Sequence, residues 1–528
     1  MRLACLTFFL ALGLRGTCLG QSAGHLRIRV VDDTTGKPTP LRVRLTQDSK
    51  PVPFLPNEAI AVSYGLWDHA DGYGFQPDSS FYIAGTFSLD LPAGTYQLTL
   101  SKGPEYLRQT HNLTIQAGKS QQPTYRLKRW INMAARYWYS ADDHIHIRRS
   151  LRENEFLLNW IQAEDLNVGV VLKMGDFWAT YYPQYAFGDK GTYQQDKYLL
   201  TSGQEDPRTP ELGHALGFGA TAAVRYSQEY YFYDKVFDEI HRRGGLTGYA
   251  HQAESFHGYR GLTLDGLRGK VDVLEILQYC VSAQPLRTEH YYRMLDLGFP
   301  LTATAGSDFP WCGHDHDRGP PERSARIGNA RFYTYLDEPF SEAAWQKSVA
   351  AGHTFVSSGP IVDLRVNQAM PGDRLDLKKG DALIVTAHAY GHAGQVPLSA
   401  LELVAHGQVL HRVTPNEPGQ SADHLSFNFT LDNVQLGLWI AARCFGDSTQ
   451  AAHTSPVYIS VDGGGFHNPE TTGRYLAQCE DYLHELEQEL EIHRDNPEFR
   501  AWYFKQGLKS RIDDTRTVIA DLKKQMDR

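Results

Sequence analysis

Tyr139-Ser-Ala-Asp-Asp-His-Ile-His-Ile-Arg-Arg149 decides how the middle of this chain is read. His144 and His146 flank Ile145, and strand side chains repeat every two residues, so both imidazoles point to one face. Such a face offers two neutral nitrogens to one divalent cation. The pair alone also fits two half-exposed strand residues, so the rest of the chain has to carry the argument.

Outward from this stretch, four apolar runs each lead into a polar side chain. Residues 166–172 run into Lys173-Met-Gly-Asp176, 246–250 into His251, 271–274 into Glu275, and 301–307 into Asp308. The C-terminal ends of strands are where α/β sheets and barrels assemble their sites. Helical spacing over 154–166, over 230–243 before Gly244-Gly245, and over 291–297 before Gly298 predicts intervening helices. Residues 130–360 are therefore expected to form an α/β domain with a largely parallel sheet or barrel. Glu205 and His214 fall in a Gly- and Pro-rich stretch between Thr201 and Gly219, read as a loop.

The chemistry of these positions is coherent. His144, His146, His214 and His251 supply imidazoles, and Glu205 and Asp308 supply carboxylates, a mixed set suited to Zn²⁺, Mn²⁺ or Fe²⁺ without any cysteine. Two ions ~3.5–4 Å apart can activate a water and polarise the bond it attacks. Asp176 reads either as a partner behind a ligand or as a turn residue. Glu275 either orients a ligand or pairs with an arginine. His257, Lys173 and Arg326 are weaker candidates for substrate contact, and His453 reads as structural.

Both flanks are β-patterned. Alternation at 25–30, 41–45, 95–100 and 112–115 predicts a small sandwich over 21–129, with 51–87 read as a long loop. A second sandwich is expected over 361–463, from runs at 382–388, 401–404, 439–443 and 457–461. After Gly463-Gly464-Gly465, residues 464–528 read as a helical hairpin. One apolar stripe holds Tyr475, Leu476, Cys479, Leu483, Leu486 and Leu490; the other holds Leu508, Ile512, Ile519, Leu522 and Met526. Those stripes could pack on the body or on a partner chain.

The 528 residues exceed a single core, and 41% hydrophobic content supplies material for several. The net charge of -9 gives no general attraction to nucleic acid or anionic membranes. No P-loop or dinucleotide-binding glycine fingerprint supports a nucleotide cofactor. Residues 1–20 read as a secretory signal: Arg2, an apolar run over 3–14, then Cys18-Leu19-Gly20 before cleavage near Gln21. That implies a secreted or periplasmic protein, and no later run is long and apolar enough to span a bilayer. Cys280, Cys312, Cys444 and Cys479 then remain, too few and scattered for a disulfide framework, although Cys280 and Cys312 could pair.

The order of motifs resembles the PHP (polymerase and histidinol phosphatase) superfamily, in particular its CehA/McbA-type metallohydrolases. The matching pieces are DHIHI at 143–147, VVLKMGDF at 170–177, GQED at 203–206 and GHALGFG at 213–219. GGLTGYAHQ at 244–252, VDVLEI at 271–276, TAGSDFP at 304–310 and GHTFVSSGP at 352–360 follow. The resemblance implies a distorted (β/α)7 barrel holding two divalent ions, with His144, His146 and Asp308 on one. Glu205 would bridge to a second, held also by His214 and His251. A metal-bound hydroxide would be the nucleophile, placing Glu205, Asp308 and His251 at the catalytic centre. Phe177 and Pro310 stand where three-metal members carry histidines, and their joint loss argues for two ions. His314 and His316 could replace them; the plainer reading is exposure.

Together these features imply a secreted metal-dependent hydrolase of an ester-type bond: a phosphoester, or a carboxyl or carbamate ester, on a small-molecule or glycan-linked substrate. The alternative is a non-catalytic secreted binding protein with a structural metal site, whose sandwiches engage glycan or a cell surface.

Overall fold

The computed structural model describes residues 23–62, 74–76, 78–279, 286–310, 326–447, 449–492 and 501–526. The expected signal segment 1–20, Cys280, Cys312, His314, His316 and the side chain of Met526 lie outside the described residues. The protein is multidomain and rich in β-structure, with several sheets and few helices.

In the N-terminal part, Ala23–Asp32 pairs with Thr86–Pro92 and Leu41–Gln47 with Gly94–Ser101, in two separate sheets. Their period-2 patterns bury Leu26, Ile28 and Val30 against Val43, Leu45 and Leu98 in one core. Phe81–Ile83, inside the expected loop, is a strand paired with Leu41–Gln47. All three of its residues are buried, so it lacks the alternation that marks a strand in sequence.

In the middle of the chain, seven strands succeed one another by hydrogen bonding. β1 (Trp138–Ile145) pairs in parallel with β2 (Val168–Gly175), and β2 in parallel with β3 (Tyr198–Thr209). β3 and β4 (Gly213–Phe218) form an antiparallel hairpin, and β4 pairs antiparallel with β5 (Leu246–Tyr249). Parallel pairing resumes from β5 to β6 (Val273–Leu277) and from β6 to β7 (Thr302–Ala305). Just beyond β7, Phe309 bridges Ile145, and the His146 N–H donates to the Phe309 carbonyl at 2.7 Å. The succession thereby returns to β1.

Four of the six pairings are parallel and two antiparallel, and the antiparallel part lies in the stretch read as a loop. Glu205 sits inside β3 and His214 inside β4. The register shifts between Glu205 and Arg208, and Pro207 occupies that irregularity, where its missing N–H breaks no ladder bond. Four helices lie between these strands: α1 (Asn154–Ala163), α2 (Tyr233–Arg242), α3 (Gly258–Gly266) and α4 (Glu289–Asp296). α3 was not expected, because three glycines weaken its helical pattern. Gly261 is needed there: a Cβ would lie 2.2 Å from the Leu212 carbonyl oxygen.

Hydrogen bonding also runs outward from β1. Arg331–Tyr335 pairs with β1, Thr354–Ser357 pairs with Arg331–Tyr335, and Ala451–Thr454 pairs with Thr354–Ser357. The ladder therefore crosses residue 360, where a separate module was expected to begin. Beyond it, Ile361–Val366, Leu383–Tyr390 and His424–Leu431 form a three-stranded sheet. That sheet shares a core with Ala400–Ala405 and Leu438–Phe445.

The chain closes with α6 (Pro469–Ile492) and α7 (Ala501–Met526), α5 being Glu342–Ala350. Arg516 meets Glu487 while Lys523 meets Glu480, so the two helices run antiparallel. Leu483, Leu486, Leu508 and Ile512 of the two stripes enter the core shared with the seven strands. Arg511 makes a buried two-pronged pair with Asp265 of α3 at 2.7 Å, and Arg260 meets Glu485 and Glu489. Removing one partner of a buried pair strands the other charge, at about 3–5 kcal/mol. Asp265→Ala should lower stability by that amount in urea denaturation, whereas exposed Lys524→Ala should change it by less than about 0.5 kcal/mol.

Two buried histidines make stability depend on pH. His453 Nδ1 lies 2.6 Å from the Thr454 carbonyl and its Nε2 2.6 Å from the Tyr292 hydroxyl, the pattern of a neutral ring. Burial, with Arg443 nearby, pushes its pKa down to about 3. Burial, with Arg293 and Arg287, does the same to His290. The unfolded chain binds these protons first, near pH 6.5, so stability falls as pH drops from about 6.5 toward 3. Each site should contribute a loss of about 2 kcal/mol between pH 7 and pH 5. His453→Gln should flatten that part of the stability–pH curve.

Candidate metal centre

His144 and, just past the strand, His146 face the centre, while Ile145 enters the core around Trp160 and Ile161 of α1; the register shifts between Asp142 and Ile145, so Asp142 falls outside the alternation of the two histidines. His251 follows β5 directly and Asp308 follows β7. Because β4 runs against β3, His214 at its start lies at the same end as Glu205. Six side chains from five strands thus reach one edge, all buried. His251 and Asp308 hold positive φ values of 56° and 52°, a conformation non-glycine residues avoid unless the surroundings impose it.

His144 Nε2 and His146 Nε2 are 3.1 Å apart, and Asp308 Oδ1 lies 3.3 and 3.2 Å from them. Glu205 lies 3.6 Å from His144 Nε2 and 3.3 Å from His146 Nε2. Four donors held tetrahedrally at ~2.0–2.1 Å from a cation are ~3.3–3.4 Å from one another, so these separations suit such an ion. His251 Nε2 approaches Glu205 at 3.3 Å and Asp308 at 3.8 Å, and His214 Nδ1 lies 2.7 Å from Glu205. Glu205 therefore touches all four imidazoles. Two overlapping groups, His144–His146–Asp308 and His144–Glu205–His251, could each hold a metal ion.

Supporting contacts fix the donors. His144 Nδ1 is 2.8 Å from Glu275 Oε1, while Glu275 Oε2 accepts from the His251 backbone N–H at 2.8 Å and from Gln278 at 3.0 Å. One carboxylate thus holds two imidazole residues and leaves His144 Nε2 facing the centre. Asp142 accepts backbone N–H bonds from His144, Ser307 and Gly328, joining the ends of β1 and β7. Gly306 is required by the close approach of these ends: a Cβ there would lie 2.3 Å from His144 Cβ. Tyr182 stacks on His146 at 5.4 Å and Phe256 on His214 at 4.4 Å, both with positive φ.

The electrostatics suit a cation. Burial would raise the Glu205 carboxyl, yet Arg208, His214 and His144 hold it well below its ordinary value. Burial disfavours a charged His144, yet Glu275, Asp308 and Glu205 pull its pKa well above ordinary. Burial pushes His214 down to about 4 against the pull of Glu205, so its ring is neutral at pH 7.

The remaining candidates fall elsewhere. Asp176 accepts from the Trp178 and Ala179 N–H groups and the Tyr181 hydroxyl, closing a turn. Lys173 meets Asp206 at 3.3 Å, and exposed His257 bonds the Pro210 carbonyl. Arg326 lines a separate cavity. Sequence reasoning passed over Asp142, Tyr182, Arg208, Phe256 and Gln278. None of them has a signal in sequence: a register shift between Asp142 and Ile145 takes Asp142 off the His144–His146 alternation, and the others stand alone.

Comparison with protein-family models and with curated proteins gives no match. Among solved structures, the minor pilin GBS52 of Streptococcus agalactiae aligns with 21% of this chain and 47% of its own, at 20% identity and TM-score 0.15. The Bacillus anthracis TIE protein aligns over 83% and 50%, at 7% identity and TM-score 0.14. Bacteroides uniformis beta-glucuronidase 3 aligns over 83% and 63%, at 10% identity and TM-score 0.18. The chain spans about half the length of the first two, and likenesses this slight carry no argument.

Glu275→Gln keeps the shape of this side chain but weakens its hold on His144. Metal affinity, measured by competition with a fluorescent chelator, should fall 10–100-fold while the far-UV circular dichroism is unchanged.

Proposed function

We propose that residues 130–360 form a PHP-like distorted (β/α)7 barrel, and that the protein is a secreted or periplasmic metal-dependent hydrolase of an ester-type bond. The observation that carries this reading is the convergence of four imidazoles on Glu205 and Asp308 at one end of seven strands. The motif order of the sequence and the return of the strand succession to β1 support it. Two ions of Zn, Mn or Fe would be held there, one by His144, His146 and Asp308 and the other by Glu205, His214 and His251.

When bound, such ions supply Lewis acidity and a water activated at neutral pH. The chain's own residues do the rest. Glu275 fixes the tautomer of His144, and Tyr182 and Phe256 hold the ring planes of His146 and His214. Arg208, 2.9 Å from Glu205, keeps that carboxylate ionised and leaves a guanidinium beside the centre, where negative charge grows as the ester carbonyl or phosphoryl is attacked. The half-exposed outer face of Phe256 gives the substrate an apolar wall (50% exposed).

The test is a screen of p-nitrophenyl phosphoesters and carboxyl esters with the protein loaded in turn with Zn, Mn and Fe. Turnover should require metal, and His251→Ala and Asp308→Ala should each lower kcat/KM by at least 100-fold without unfolding the chain. Turnover independent of metal and equal in both variants would remove the hydrolase reading.

A further inference from the structure

Away from the metal centre, a cavity of about 380 Å³ opens where three parts of the chain meet. Arg42 and Arg44 come from the strand Leu41–Gln47, Glu164 and Arg326 from the flank of the seven strands, and Gln395 and Gln450 from loops between the C-terminal strands. The volume is that of a small-molecule pocket.

Its charge is unbalanced. Among the described residues, five arginines line it, counting Arg108 and Arg331, against the carboxylates of Asp78, Glu164 and Asp447, two guanidiniums more than carboxylates. Arg331 gives its N–H groups to the carbonyls of Gly328, Asp165 and Glu164. Arg42 is matched by Asp78 and Glu164, each at 2.9 Å. Those two carboxylates are also engaged by Ser80 and the Tyr82 hydroxyl. Arg326 reaches Asp78 only at 3.9 Å and faces Arg42, whose like charge, with burial, lowers its pKa. Among the described residues, neither Arg44 nor Arg108 has a carboxylate within 4 Å. The buried Nε of Arg44 has no hydrogen-bond partner.

Guanidiniums that line one cavity without enough counter-charge suit an oxyanion, which accepts several N–H bonds at once. The neighbouring Thr99, Ser101 and Ser358 suit the polar body of such a ligand. We propose that this cavity binds a small polar molecule bearing a phosphate or sulfate group, of about monosaccharide size, held by Arg44, Arg108 and Arg326. This site is separate from the metal centre and does not depend on the hydrolase reading.

The experiment is titration of the full-length protein with glucose 6-phosphate, inorganic sulfate and glucose, followed by microscale thermophoresis. One saturable site per chain is expected for at least one of the two anions, with none for glucose. Tighter binding of glucose 6-phosphate would mark an ester ligand and tighter binding of sulfate a free anion; both support the site. Arg44→Gln and the exposed-position variant Arg108→Gln should each weaken binding at least tenfold, while His251→Ala leaves it unchanged. Absence of saturable anion binding, or affinity equal to wild type in both arginine variants, would overturn the proposal.

Discussion

Glu205 is the point on which the middle of this protein turns. A carboxylate taken out of water costs several kcal/mol unless charge and hydrogen bonds compensate it. Here it is buried and ionised within 3.6 Å of four imidazole rings and 2.9 Å from Arg208. Asp308, equally buried, shares three of those rings. Lone pairs and negative charge converge on one small volume, which is the composition of a cation site more than of a self-sufficient ion-pair network.

Much of the chain around Glu205 is explained by the need to keep it there. The bulge in β3 lets the strand carry Glu205 inward and still pair with β4, which brings His214. The turns after β5 and β7 accept unfavourable backbone angles at His251 and Asp308, and Glu275 and Asp142 tie those ends to His144. Positive backbone φ at His251 and Asp308 and buried charge at Glu205 coincide at this centre.

The legible part of this arrangement was what repeats. His144 and His146 announce themselves by period-2 spacing, and His251, Glu275 and Asp308 by following apolar runs. The C-terminal stripes at 475–490 and 508–522 named the faces that the body buries. Features that break local rules were hidden. Gly and Pro between 201 and 219 suggested a loop, yet the partner strand absorbs the irregularity and a hairpin results, so the sheet is mixed. α3 was concealed by glycines that close packing demands, and Phe81–Ile83 by burial on both faces. Arg208, Tyr182 and Phe256 gain their roles only from the folded neighbourhood. Asp142 was hidden by the register shift between it and Ile145, which breaks the alternation that joins His144 to His146.

The central claim, that these six side chains exist to hold metal, is tested most directly by elemental analysis of chain purified without chelator or metal-binding tag. Close to two equivalents of Zn, Mn or Fe per chain are expected, falling in His144→Ala, because His144 belongs to both overlapping ligand groups. A chain that carries no metal and takes none up on addition would contradict the claim.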